Sequence, residues 1–383
     1  MSNTLKFGNG EWYGKEGTIL AYNSENNNYK PLPFTFDRAS SATRVNKDGL
    51  IETVGADQPR VDYLNDSKGA LLLEPSRTNY VLYSETEGII MGSNGWSGDS
   101  DSTITQNYGT TPFTGSELKS TRIQFTGFSK EFRNNFSSVT ITPTASIWIK
   151  GSVGKTIKFG SNSNEGIFTL NGEWQKLVQT GSSLSTNRLT INTYSSTTAR
   201  DIEIFAPQLE QGSYPTSIIK TQGSAVTRLA DVCNNGGNEQ VINSTEGTIY
   251  LDVEKKNGDT TKRRITINNN SSSIFVNIEH TVSNNIKAEV YDGSNVSGTI
   301  TSSTLTQDNN KIAYTYKVNE FKLFINGVQV GSTVTSGGTI SSGILKKLSL
   351  DNGNGFDVFK GKVKEIKLYN TALSDSELQA LTT

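Results

Sequence analysis

The chain has 383 residues, enough for two or three domains. Its 36 Lys+Arg against 37 Asp+Glu leave a formal charge of −1, which argues against wrapping nucleic acid or docking on an anionic membrane. One Cys (Cys233) and one His (His280) exclude a disulfide framework and a Cys/His metal cluster.

Only 19% of residues are charged and 33% are hydrophobic, so much of the surface must be Asn, Ser, Thr and Gly. Such a neutral polar surface is expected of extracellular or particle-surface β proteins. The longest aliphatic run, Ala70-Leu71-Leu72-Leu73, falls far short of the ~20 residues that cross a bilayer, so no membrane insertion is expected. The opening residues Met1 to Gly8 contain no apolar stretch of a secretory signal. An extracellular-type surface without an export signal suits a protein released by lysis in a virus particle.

Residues 1–84 are irregular and dense in charge, with Pro31, Pro33 and Pro59. Arg38, Arg44, Arg60 and Arg77 alternate there with Asp37, Asp62 and Glu74. Planar, bidentate Arg–carboxylate pairs can pin loops that lack a large apolar core, and a structural ion-pair network of these seven residues is expected.

Residues 85–222 read as a β-sandwich. Its strands include Ser146–Gly151, Ile157–Phe159, Phe168–Leu170 and Trp174–Val178, with a turn at Asn171-Gly172. Residues 223–244, rich in Asn and Gly, read as a linker. Residues 245–383 read as a second sandwich. Ile249, Leu251 and Val253 alternate with polar neighbours, as do Ile274, Val276 and Ile278, then Ile286, Ala288 and Val290.

Asn326-Gly327 between apolar runs predicts a hairpin, and the broken alternation of Val363, Ile366 and Leu368 predicts a β-bulge. The spacing of Ser374 and Glu377 predicts a capping box and one short C-terminal helix, Ser374–Leu381. The fold class is therefore all-β: two β-sandwich (jelly-roll) domains after an irregular N-terminal region.

Several segments resemble known families. Phe36–Val45, Asp48–Glu52, Pro59–Tyr63 and Leu72–Asn79 are similar, in order, to a block recurrent in bacteriophage head-fibre, head-spike and tail-fibre proteins. Ala206–Gly212, Pro215–Ile219 and Thr227–Asp231 resemble the end of a carbohydrate-binding-module-like jelly roll. Phe324–Gly327, Phe359–Val363 and Tyr369–Leu378 resemble the concanavalin A-like (laminin G-type) sandwich. The resemblance implies a virion-surface, homo-oligomeric protein whose partners are other virion proteins and host-surface polysaccharide. The alternatives are a purely structural assembly protein and a polysaccharide depolymerase.

No catalytic residue is expected. Asp252 and Glu254 share a strand face, but Tyr250 stands where the Glu-x-Asp motif of concanavalin A-like hydrolases would begin. Cys233 and His280 have no flanking catalytic motif. No cofactor is implied, with calcium, which sandwich lectins sometimes use, as the alternative. Asp351–Asp357 superficially resembles a calcium loop, yet Gly353 and Gly355 replace oxygen ligands and Phe356 replaces the turn glycine.

For glycans, Trp96, Tyr108 and Trp174 are the candidate stacking residues. Trp96 lies in a polar loop, where the platform and core readings both stand. Trp148 and Trp174 lie in apolar alternating strands that suit a core tryptophan.

Overall fold

Alternating side chains give each strand one apolar face, and two such faces must meet to leave water. In the computed structural model, residues 4–15, 18–20, 33–99, 102–113, 118–126, 130–162, 164–193, 199–256 and 258–383 are described; Pro31 lies outside them. The chain folds into two units. One comprises Met1–Ser40, Val54–Pro75 and Ala230–Thr383, the other Ser41–Thr53 and Ser76–Leu229.

In the first unit an eight-stranded sheet runs Val328–Gln329, Glu320–Ile325, Asn309–Lys317, Glu246–Glu254, Gly361–Tyr369, Ala70–Leu73, Val61–Asp62, with Leu5–Gly8 also on Gly361–Tyr369. A five-stranded sheet runs Val296–Thr301, Ile286–Tyr291, Phe275–His280, Arg263–Asn268, Lys347–Ser349. Ile249, Leu251, Val253, Ile278, Ala288 and Ile366 are among the residues that fill one core. The bulge falls at Lys364, because Asp252 opposes Glu365 while Val253 opposes Val363. Gly8 packs there: a Cβ on it would lie 2.2 Å from the Lys364 carbonyl oxygen.

Asn326 and Gly327 both have positive φ, as a two-residue hairpin turn requires. Asp375–Thr382 is the α-helix. Ser374 N–H donates to Glu377 Oε2 at 2.9 Å, closing the expected cap. Its Leu378 packs with Tyr250, Phe324 and Tyr369 on the outward face of the large sheet.

The second unit is a sandwich of two five-stranded sheets. One is Trp96–Gly98, Glu131–Ile141, Leu184–Asn192, Thr156–Ser161, Asn164–Thr169; the other is Ser102–Thr105, Thr121–Phe125, Arg200–Gln211, Pro143–Gly151, Gln175–Thr180. The turn at Asn171-Gly172 has positive φ only at Gly172 and carries the chain from one sheet to the other.

The division differs from the expected one at 84 and 222. Residues 1–84 form no separate body, because Leu5 and Phe7 complete the first unit's core and Arg77–Asn79 pairs with Val226–Arg228 in the second. Residues of the expected linker also form strand: Val232–Asn234 pairs with Pro33–Asp37. Among the described residues no helix is long and apolar enough to cross a membrane.

Candidate glycan-binding face

Strand alternation sets the site. In Thr121–Phe125, Ile123 and Phe125 enter the second unit's core, which turns Arg122 and Gln124 outward. In Arg200–Gln211, Ile202 and Ile204 enter it, turning Asp201 and Glu203 outward. Register places Arg122 opposite Glu203 and Gln124 opposite Asp201.

Arg122 Nε donates to Asp201 Oδ1 at 2.8 Å and its Nη2 donates to Asp201 Oδ2, while Gln124 Nε2 donates to Oδ2 at 3.3 Å. The Arg122 hydrogen bond holds the Asp201 carboxyl below its ordinary range, so it stays an acceptor. The guanidinium lies 4.7 Å from the ring centroid of Tyr108, which is 47% exposed.

The loop carrying Tyr108 is fixed to the sheet. Tyr108 N–H donates to the Ser120 carbonyl at 3.0 Å, and Ser120 Oγ donates to Glu203 Oε2 at 2.6 Å. Gly109 permits this approach, since a Cβ there would lie 2.1 Å from Glu203 Oε2. An exposed ring beside fixed amide, guanidinium and carboxylate groups is equipped to stack on sugar C–H faces and bond hydroxyls.

The same face carries Trp148, opposite Phe205 and Lys176, with Phe113 edge-on to it at 5.5 Å. Trp148 is half-buried and is not a core residue; Ala145, Ile147 and Ile149 take the core positions. The signal was its own alternation, which groups it with Ser146 and Lys150.

Of the three predicted stacking residues, Tyr108 stands beside Arg122 on this face. Trp96 is 1% exposed, stacks on Phe132 with centroids 4.8 Å apart, and donates its indole N–H to the Tyr83 carbonyl at 3.0 Å. It is a core residue, turned inward by positive φ at Asn94 and Gly95. Trp174 is half-buried beside the Asn171-Gly172 turn, with its indole nitrogen enclosed.

The charged residues of the N-terminal region divide. Arg38, Arg60 and Glu74 gather around a buried carboxylate that sequence reasoning did not include, Asp231. Arg38 Nη1 lies 3.0 Å from Asp231 Oδ1, Arg60 Nη2 contacts Oδ2, and Arg60 Nη1 lies 2.9 Å from Glu74 Oε2. Glu74 N–H also donates to Asp231 Oδ2 at 2.8 Å.

The other four lie outside this cluster. Asp62 pairs with Lys362 at 2.9 Å, and Arg44 with Glu52. Arg77 lies over the Tyr214 ring, and Asp37 is exposed beside Asp57.

The remaining chemical candidates are enclosed or occupied. Burial pushes the Cys233 thiol well above its ordinary range and the His280 imidazole down to about 3, leaving both neutral. Glu254 pairs with Lys256, whereas Asp252 faces Glu365 across the strands. Asp351 accepts from Gly353 N–H at 2.6 Å, Gly355 N–H at 3.1 Å and Asn234 Nδ2 at 2.8 Å, so its carboxylate shapes the loop. Phe356 at the loop's tip is 70% exposed. Among the described residues no three His, Cys, Asp or Glu side chains gather to hold a metal.

Residues 236–379 match the model of the concanavalin A-like lectin/glucanases superfamily. The match falls within the first unit, whose two facing sheets have the sandwich form of a jelly roll. No curated protein matches the sequence. Among solved structures the chain is similar to the CBM40 of the Ruminococcus gnavus IT-sialidase, at 17% identity over 37% of this chain and 84% of that one, TM-score 0.32. It is similar to domain 4 of AbnA, a GH43 extracellular arabinanase from Geobacillus stearothermophilus in complex with arabinotriose, at 12% identity over 42% and 77%, TM-score 0.32. It is also similar to a Trypanosoma rangeli sialidase, at 9% identity over 95% and 81%, TM-score 0.29.

Proposed function

We propose that the protein is a non-enzymatic surface component of a bacteriophage particle that attaches the particle to host-surface glycans. The observation that carries the binding role is the exposed Tyr108 ring held against Arg122, with Asp201 and Gln124 fixed beside it. The particle assignment rests on the ordered fibre-type segments between Phe36 and Asn79. A shallow open face binds one sugar weakly, and many copies on one particle raise the effective concentration until weak sites suffice. Enclosure of Cys233 and His280, and the engagement of Asp201 by Arg122, support a role without bond cleavage.

The test is binding of the full chain to purified host-surface polysaccharides, with release of reducing ends followed in parallel. The wild type should bind without releasing sugar. Tyr108→Ala and Arg122→Ala should each weaken binding about tenfold, on the scale of one lost stacking or polar contact, with unchanged melting. No wild-type binding would favour a purely structural role, and released reducing ends would make the protein a depolymerase.

A further inference from the structure

The first unit has an open depression of about 480 Å³, bounded by Asn235, Asn238, Gln240, Asn270, Lys346 and Lys347. The two segments that carry most of its lining are tied by reciprocal backbone bonds: Gly236 N–H to the Leu348 carbonyl at 2.9 Å, and Leu348 N–H to the Gly236 carbonyl at 2.6 Å. Lys346 N–H donates to the Asn268 carbonyl at 2.8 Å, fixing the lysine pair to the neighbouring strand. Asn235, Gly237 and Asn270 all have positive φ, a backbone shape that Asn and Gly hold at little cost. The shape of the depression is therefore set before any ligand arrives.

Its chemistry is polar and net positive. Glu239 also lines it and pairs with Lys346. Lys347 Nζ donates to Asn235 Oδ1 at 2.8 Å and meets no carboxylate within ion-pair distance among the described residues. An ammonium has three donors, so two remain for a ligand. The side-chain amides of Gln240 and Asn270 make no hydrogen bond among the described residues, and each offers donors and an acceptor.

An open depression with a mainly polar lining suits a hydrated sugar better than an apolar ligand. The geometry points to a second saccharide site, selective for a carboxylate-bearing sugar: the carboxylate sits at Lys347 and the hydroxyls on the amides of Gln240, Asn238 and Asn270. The inference rests on the glycan-binding reading only for its class of ligand, since no residue is shared with the Tyr108 face.

Ligand-observed NMR on the full chain tests it. The probes are glucuronate, galacturonate and N-acetylneuraminate, against neutral glucose, galactose and N-acetylglucosamine. At least one acidic sugar should bind fivefold or more tightly than its neutral counterparts, and the preference should shrink as salt rises. Lys347→Ala should abolish the preference and Tyr108→Ala should leave it intact, with melting unchanged in both.

Equal binding of acidic and neutral sugars, no binding of any acidic sugar, or full preference in Lys347→Ala would overturn the site. Polysaccharide binding lost in Tyr108→Ala would, in that event, still uphold the Tyr108 face. Acid preference lost only in Tyr108→Ala would move the acidic sugar to that face and remove this one.

Discussion

Asp201 and Asp252 are the same residue type on outward faces of β-sheets in the two units, and their carboxyls are shifted in opposite directions. Asp201 is partly open to water and accepts from Arg122 and Gln124, which favours its charged form. Asp252 lies on a face crowded by Tyr250, Glu365 and Tyr369, where burial first, and then the charge of Glu365, pushes its carboxyl up. The helix Asp375–Thr382 packs Leu378 against Tyr250, Phe324 and Tyr369, covering part of this first face. One unit covers part of its outward face with packed side chains, and the other keeps paired polar groups in contact with water.

The greatest internal commitment of charge is the cluster around Asp231, so the comparison breaks most sharply there. The side chains of Arg38, Arg60 and Asp231 are fully enclosed. Arg60→Ala leaves Asp231 and Glu74 short of a cation in a dry setting, which costs about 3–5 kcal/mol. Denaturant unfolding should show that loss, whereas Arg122→Ala, at an exposed pair, should unfold close to wild type. Similar unfolding of the two variants would erase the distinction between enclosed and open charge.

Acid should separate the units next, through His280. Its folded value is about 3 against 6.5 in a free chain, so between those values the unfolded chain binds a proton that the folded chain refuses. This contribution to stability is intact above 6.5 and falls as the pH drops towards 3. His280→Leu removes the acid penalty, and its stability relative to wild type should improve by about 3 kcal/mol between pH 7 and pH 4. A constant difference across that range would mean that His280 takes its proton within the folded protein.

What could be read from the sequence was mostly local. Asn326-Gly327, the Ser374–Glu377 cap and the bulge in Gly361–Tyr369 each depend on a few adjacent residues, and each forms as expected. Long-range convergence left fainter signs. Arg60 and Asp231 stand 171 positions apart, and nothing in the charge pattern of residues 1–84 names the acid that Arg38 and Arg60 share. Leu5 pairs with Leu368, so the N-terminal region looked irregular while its partner strand lay at the other end of the chain. Trp96 was ambiguous for a different reason: a polar loop sequence says nothing of the two left-handed residues before it that turn the ring inward. Tyr108 could be nominated as an exposed aromatic, but its partner Arg122 comes from a separate strand.

The smallest effect tests the crowded face itself. Asp252 Oδ1 and Glu365 Oε1 are both enclosed with no hydrogen-bond partner among the described residues, and Glu365 is only 6% exposed. Lys364 and Lys311 oppose the upward shift of Asp252, and burial outweighs them. Because the folded carboxyl is raised above its ordinary 3.8, its protonated form is the better fit: stability is greatest below 3.8 and is lost as the pH rises through the folded value. Asp252→Asn keeps the shape and removes the charge. It should melt like wild type at pH 3 and about 2 °C higher at pH 7, the scale of a fraction of a kcal/mol in a domain this size. Asp201→Asn should show no such gain, because its charged form is the one its surroundings favour. A higher melting point for both variants at pH 7 would place the two carboxylates in the same kind of environment and dissolve the contrast between the faces.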